Sequence, residues 1–132
     1  MSSAVVVDAL DLIGPPATAQ DMNKAMAMIE MNYGVPAQDE KVLMLFEMIK
    51  EEGWSAERLK QTVRWFLKNK KFPNWTIADW FEYGVKMYPY SWYLEQISKG
   101  ANSNDLECYK VNGRILWKIK DGTELPFERV QQ

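Results

Sequence analysis

The segment from residue 64 to residue 75 combines side chains that could bind single-stranded nucleic acid. It reads Arg-Trp-Phe-Leu-Lys-Asn-Lys-Lys-Phe-Pro-Asn-Trp, so cations lie close to aromatic rings. Cations neutralise phosphates and exposed rings stack on unpaired bases. The candidate residues for binding nucleic acid or a protein partner are Arg58, Arg64, Trp65, Lys68, Lys70 and Lys71.

The same segment also has a structural interpretation, and the sequence leaves both open. Lysines at the end of a helix complement its dipole, and neighbouring aromatic residues pack against the next helix. Phe66, Phe72 and Trp75 are predicted core residues, whereas Trp65 is predicted to share the opposite helix face with Arg58 and Lys68. The formal net charge is −2, so phosphate binding would depend on this local concentration of cations.

Composition excludes most catalytic chemistry. The chain has no histidine and one cysteine, Cys108, which rules out histidine-dependent nucleophiles, histidine metal ligands, cysteine-clustered zinc and an internal disulfide. Phosphate-binding glycine motifs are absent, and acidic pairs such as Asp39-Glu40 fit helix ends and polar faces. We therefore predict a non-enzymatic protein without cofactor or metal, in which Cys108 is an inert core residue.

The N-terminal sequence is not typical of a targeting signal. Residues 1–13 have an apolar centre but no preceding basic residues, and Asp8 and Asp11 interrupt them. No uninterrupted apolar run reaches the ~20 residues that a membrane span requires. We therefore expect a cytoplasmic protein.

Apolar periodicity and helix-end signals predict four to five helices after an N-terminal arm. Gly14-Pro15-Pro16 ends the arm, residues 1–18, which could form a short strand or one amphipathic turn. Helices are expected over about residues 18–32, 37–52, 55–70, 76–85 and 90–99. Ser55 is the expected N-cap of the third helix, and Thr76 with Asp79 resembles a capping box for the fourth.

The last third of the chain changes to strand-like periodicity. Asn112-Gly113 is typical of a two-residue hairpin turn, which would place Cys108 opposite Trp117 and Leu106 opposite Ile119. Residues 123–127 could add a third strand. The predicted fold is α+β, mainly helical, with a C-terminal antiparallel β-hairpin or three-strand meander. The expected segments are the arm, a helical domain at 19–100, and a hairpin region at 101–132 packed on the helices.

Methionines are concentrated in the first two predicted helices, at positions 22, 26, 28, 31, 44 and 48. Such residues either fill a core or form an adaptable surface for a partner. Met28 and Met44 fall outside the predicted buried stripes, and we expect them to be the better candidates for partner contacts.

Residues 38–83 resemble the helical domain of phage replicative-helicase loaders and loading inhibitors. The matching features are the helix Lys41-Val-Leu-Met-Leu-Phe-Glu-Met-Ile49, a Gly-Trp-Ser break, and a second helix over residues 57–67. A basic stretch, Phe-Pro and Thr-Ile-Ala-Asp follow, although Asn74-Trp75 interrupts them and the C-terminal hairpin has no counterpart.

This resemblance implies a DNA-replication accessory factor of a phage or mobile element, located in the host cytoplasm if a phage encodes it. Its partner would be a replicative helicase or an initiator, with single-stranded DNA as a further ligand. The alternative is a small phage or host protein-interaction factor, such as an inhibitor of a defence system or a virion component, that binds no nucleic acid.

Overall fold

The computed structural model describes residues 7–34, 39–69, 74–120 and 125–130. The predictions for Lys70, Lys71 and Phe72 lie outside these ranges. Two compact units are present: a helical unit of residues 13–84, and a sheet unit formed by residues up to 12 together with those from 85 onward. These boundaries differ from the three consecutive segments expected from the sequence. None of the described helices is long and apolar enough to cross a membrane.

The helical unit contains α1 (Ala19–Tyr33), α2 (Asp39–Glu51), α3 (Ala56–Asn69) and the single turn α4 (Ile77–Trp80). The helices share one hydrophobic core, because each turns an apolar stripe inward. Phe66 and Trp75 lie in it, as predicted. The buried members of this core are Met22, Ala25, Met26, Ile29, Leu45, Ile49, Trp54, Leu59, Val63, Phe66, Trp75 and Trp80.

Side-chain caps fix where these helices begin. Thr76 and Asp79 form a reciprocal capping box at α4, and Thr18 begins α1 with the same arrangement. The Ser55 hydroxyl accepts the backbone N–H of Arg58 at 3.0 Å, which confirms Ser55 as a cap of α3. These bonds satisfy backbone donors that the first helical turn would otherwise leave without partners.

The fourth helix ends earlier than the sequence suggests. We expected it to continue through Val85, but α4 stops at Trp80 and a short strand, β2 (Lys86–Met87), follows. Val85 and Met87 are buried while Lys86 is exposed, which is the alternation of a strand. Pairing of β2 with β1 (Val7–Asp8) therefore outweighs the weak helical pattern.

The sheet unit continues with α5 (Tyr90–Ser98) and the strands β3 (Leu106–Val111), β4 (Arg114–Ile119) and β5 (Glu128–Arg129). The hairpin of β3 and β4 has the predicted register, with Cys108 opposite Trp117. Positive φ angles of 49° and 78° at the two turn residues, Asn112 and Gly113, fit the twisted turn that joins such strands. The α+β, mainly helical fold with a C-terminal antiparallel hairpin is confirmed.

Two details of this sheet differ from expectation. Among the described residues, the third strand lies at Glu128–Arg129, whereas residues 125–127 of the predicted segment are not in a strand. This strand pairs with β3 instead of β4. The strand order β4-β3-β5 is therefore not that of a meander. The turn signal alone could not fix which edge of the hairpin the returning chain would join.

The core of the sheet unit forms around the predicted pair of Cys108 and Trp117, which are joined by Trp92 and Leu106. Burial raises the pKa of the Cys108 thiol, so the side chain remains a protonated, apolar group at neutral pH. The predicted burial of this cysteine is confirmed.

Candidate functional site

Three basic side chains form a row along the exposed side of α3. Lys60, Arg64 and Lys68 follow one another at intervals of four residues, and all three are exposed. Residues at this spacing lie one above the other on a helix. We call these three residues the basic ridge. Arg64 and Lys68 were predicted site residues, whereas the sequence reasoning missed Lys60.

Arg58 does not belong to this ridge, so its predicted placement on an exposed face is wrong. The side chain is 5% exposed, and its guanidinium carbon lies 4.1 Å from the centre of the Trp54 ring. Glu52 approaches the guanidinium at 3.9 Å. The long stem lets Arg58 bury its apolar part while its charge rests against an aromatic face. Its role in the structure is therefore one of packing.

Trp65 is half-buried rather than fully exposed. Its ring stacks on Tyr83 with centroids 5.6 Å apart, and it packs against the core of the helical unit. Because Tyr83 occupies one face of the indole, that face is not available to a base. The expected contribution of base stacking at Trp65 is reduced accordingly.

A cleft of about 460 Å³ lies beside the basic ridge, within the helical unit. Ala25, Leu59 and Val63 contribute its apolar part, and Met28 also lines it. Its basic lining residues are Lys24 from α1 and Lys60 and Arg64 from α3. The cleft therefore brings a fourth cation, from a different helix, to the same surface as two members of the ridge.

Two acidic residues also line the cleft, and both make local bonds. The Asp21 carboxylate accepts the backbone N–H and the hydroxyl of Thr18, each at 2.9 Å. These bonds lower the pKa of Asp21, and the charge of Lys24 adds to the effect. Glu57 accepts a 2.9 Å bond from the Gln61 amide. Within the described ranges, no ion pair neutralises Lys60, Arg64 or Lys68.

A second, more polar cavity of about 650 Å³ lies in the sheet unit. Glu107 in its lining is 6% exposed, accepts the Tyr109 hydroxyl at 2.7 Å and lies 3.8 Å from the Arg129 guanidinium. This carboxylate is thus part of a local network that holds β3 and β5 together. Over the residues that the structure covers, no three acidic or cysteine side chains are arranged to hold a metal ion.

The methionines of the helical unit divide into two groups. Met22 and Met26 lie in the core, whereas Met28 is 45% exposed and Met44 is 57% exposed, as their positions predicted. The core interpretation is confirmed for Met22 and Met26 of α1, whereas a partner contact by the exposed Met28 and Met44 stays a prediction.

A scan of protein-family models, a search of curated proteins and a search of solved structures each found no match to this chain. The resemblance to helicase loaders consequently stays a prediction from the motifs quoted above.

Proposed function

We propose that this is a non-enzymatic binding protein whose helical unit engages single-stranded nucleic acid through the basic ridge. The observation that carries the proposal is the row Lys60, Arg64 and Lys68, exposed and without ion pairs to described residues. Four-residue steps along a helix separate the charges by about 6 Å. A row with this spacing can follow consecutive phosphates of an extended strand, and Lys24 widens the positive surface.

The biological setting we propose is DNA replication of a phage or mobile element, in the cytoplasm. The motifs shared with phage helicase loaders support this setting, with a replicative helicase or an initiator as the protein partner. In such a role, the ridge would hold the DNA strand while another surface of the chain contacts the partner.

A second candidate function is that of a protein-interaction factor without nucleic-acid binding, such as a defence-system inhibitor or virion component. The observation that favours it is the exposure of large apolar side chains on α2, where Leu43 is 63% and Met44 57% exposed. Groups of exposed apolar residues mark protein contacts more often than nucleic-acid contacts.

The test is the affinity for a fluorescent single-stranded oligonucleotide at low salt, measured by anisotropy. A ridge variant carries Lys60→Gln, Arg64→Gln and Lys68→Gln, and we expect its affinity to fall at least tenfold. The control carries Lys50→Gln, Lys99→Gln and Lys110→Gln, which removes the same charge from exposed positions elsewhere.

The control should bind within about twofold of the wild type, because screened charges away from the ridge contribute little. Equal losses in the two triple variants would contradict a local site. Absence of binding by the wild type would leave the protein-interaction candidate.

A further inference from the structure

One face of α2 combines acidic and large apolar side chains, all of them exposed. Leu43 is 63%, Met44 57% and Met48 39% exposed. Single exposed apolar residues are common, but several large ones on one short helix are typical of a contact site. We call this surface the acid-methionine face, and its members are Glu40, Leu43, Met44, Glu47, Met48 and Glu51.

Helical geometry places five of these residues on the side of α2 that points away from the core, and Met48 at the edge of that side. The buried side is marked by Leu45 and Ile49, which are both 0% exposed. At about 100° per residue, the three glutamates lie nearly opposite Leu45, with Leu43 on one flank and the two methionines on the other. Met44 and Met48 are neighbours one turn apart, so they form one apolar strip along the helix.

The charge of this face indicates which class of ligand it can bind. Its three glutamates have no ion pair with any residue the structure describes. The two lysines of α2 have other contacts: Lys50 directs its ammonium group to the Phe46 ring at 5.2 Å, and Lys41 donates to the backbone carbonyl of Trp75. The face is therefore negative, which disfavours nucleic acid and anionic membranes and favours a basic ligand.

The apolar strip indicates the form of that ligand. Methionine side chains are flexible and polarizable, so they adapt to the apolar face of a helix laid against them. Lysine or arginine residues beside that apolar face would meet the glutamates. We propose that the acid-methionine face docks a basic amphipathic helix of a partner protein. This inference deepens the protein-interaction candidate and does not depend on nucleic-acid binding by α3.

The probe is a designed helical peptide with leucines along one side and lysines on both flanks. Two control peptides replace all its lysines with glutamate, or all its leucines with serine. Binding is followed by NMR of protein carrying ¹³C-labelled methionine methyl groups. The methyl signals of Met44 and Met48 should shift, whereas those of the buried Met22 and Met26 should not.

Variants of the protein separate the apolar contribution to peptide binding from the charged contribution. We expect at least tenfold weaker peptide binding for Met44→Gln with Met48→Gln, and for the triple change of Glu40, Glu47 and Glu51 to glutamine. All these positions are exposed, so the fold should tolerate the changes. Met31→Gln, at an 83% exposed position of α1, is the matched control and should bind like the wild type.

Several outcomes would overturn the proposal. The glutamate peptide could bind as tightly as the lysine peptide. The lysine peptide could shift only the methyl signals of methionines outside α2, or it could shift none. A dimer that Met44→Gln and Met48→Gln dissociate, measured by sedimentation, would assign the face to a second copy of this chain and would also overturn it. Oligonucleotide binding tests α3 and peptide binding tests α2, so failure of one proposal is distinguishable from failure of the other.

Discussion

Replacing Arg58 distinguishes a packing role from a role in ligand binding. The sequence pattern predicts an exposed cation at this position, whereas the structure buries the side chain against Trp54. Arg58→Ala removes both the charge and the stem. Arg58→Met keeps an apolar stem and removes only the charge.

The expected loss of stability follows from the contacts of the side chain. A cation lying 4.1 Å from the ring of the buried Trp54 contributes up to about 2 kcal/mol. The pair with Glu52 adds roughly 0.5 kcal/mol or less, because that side chain is 51% exposed and the separation is 3.9 Å. Loss of the buried stem adds about 1 kcal/mol in the alanine variant. We therefore expect Arg58→Ala to cost roughly 3 kcal/mol and Arg58→Met roughly 2 kcal/mol.

The assay is urea unfolding followed by tryptophan fluorescence, with oligonucleotide anisotropy measured on the same variants. Arg64→Ala, at an exposed position of α3, is the matched control and should change stability by less than about 0.5 kcal/mol. The reasoning is refuted if Arg58→Ala unfolds like the wild type but loses as much oligonucleotide affinity as Arg64→Ala.

Four further predictions concern the α1 cap, the Asp21 carboxylate, the hairpin turn and the thiol. Thr18→Ala should cost about 1 kcal/mol in urea unfolding through loss of the α1 cap. The folded protein lowers the pKa of Asp21, so the ionised carboxylate stabilises the fold at pH values above ~4, the usual pKa of an aspartate. This stabilisation should fade as the pH falls below that value, and the stability of Asp21→Asn should depend less on pH over the same range. Gly113→Ala should lower the free energy of unfolding by about 1–2 kcal/mol, because Gly113 has a φ of 78° that alanine adopts only with strain. The control Lys110→Ala should leave this free energy nearly unchanged. Cys108 should react with iodoacetamide at least tenfold more slowly in the folded than in the urea-unfolded chain, because burial shields the thiol and raises its pKa.

Local signals in the sequence predicted several features correctly. Ser55 and Thr76 begin helices because their hydroxyls accept backbone N–H groups only a few residues away. The hairpin register follows from Asn112 and Gly113, since both can adopt positive φ. In each case, the interaction that fixes the structure lies within a short stretch of chain.

Features that depend on distant residues were not predictable in this way. Where the sequence pattern predicts a longer fourth helix, Lys86–Met87 instead pairs with Val7–Asp8, which lies far away in the sequence. The position of β5 beside β3 has the same kind of origin.

The wrong placement of Arg58 has a different origin, because its partner Trp54 is only four residues away. Arg58 and Lys60 are only two residues apart, and periodicity alone could not assign which cation faces solvent. Trp54, outside the helix, gives Arg58 an aromatic partner and so decides the assignment. Lys60 is the exposed cation that continues the row of Arg64 and Lys68.

The central claim, that the basic ridge binds the phosphates of a single strand, is tested most directly by the salt dependence of oligonucleotide affinity. With three or four phosphates neutralised by the ridge and Lys24, the slope of log affinity against log salt should be about −2 to −3. In the Lys60→Gln, Arg64→Gln, Lys68→Gln variant, the slope should rise to between about −1 and zero. A wild-type slope near zero, or one that the triple variant leaves unchanged, would contradict the claim.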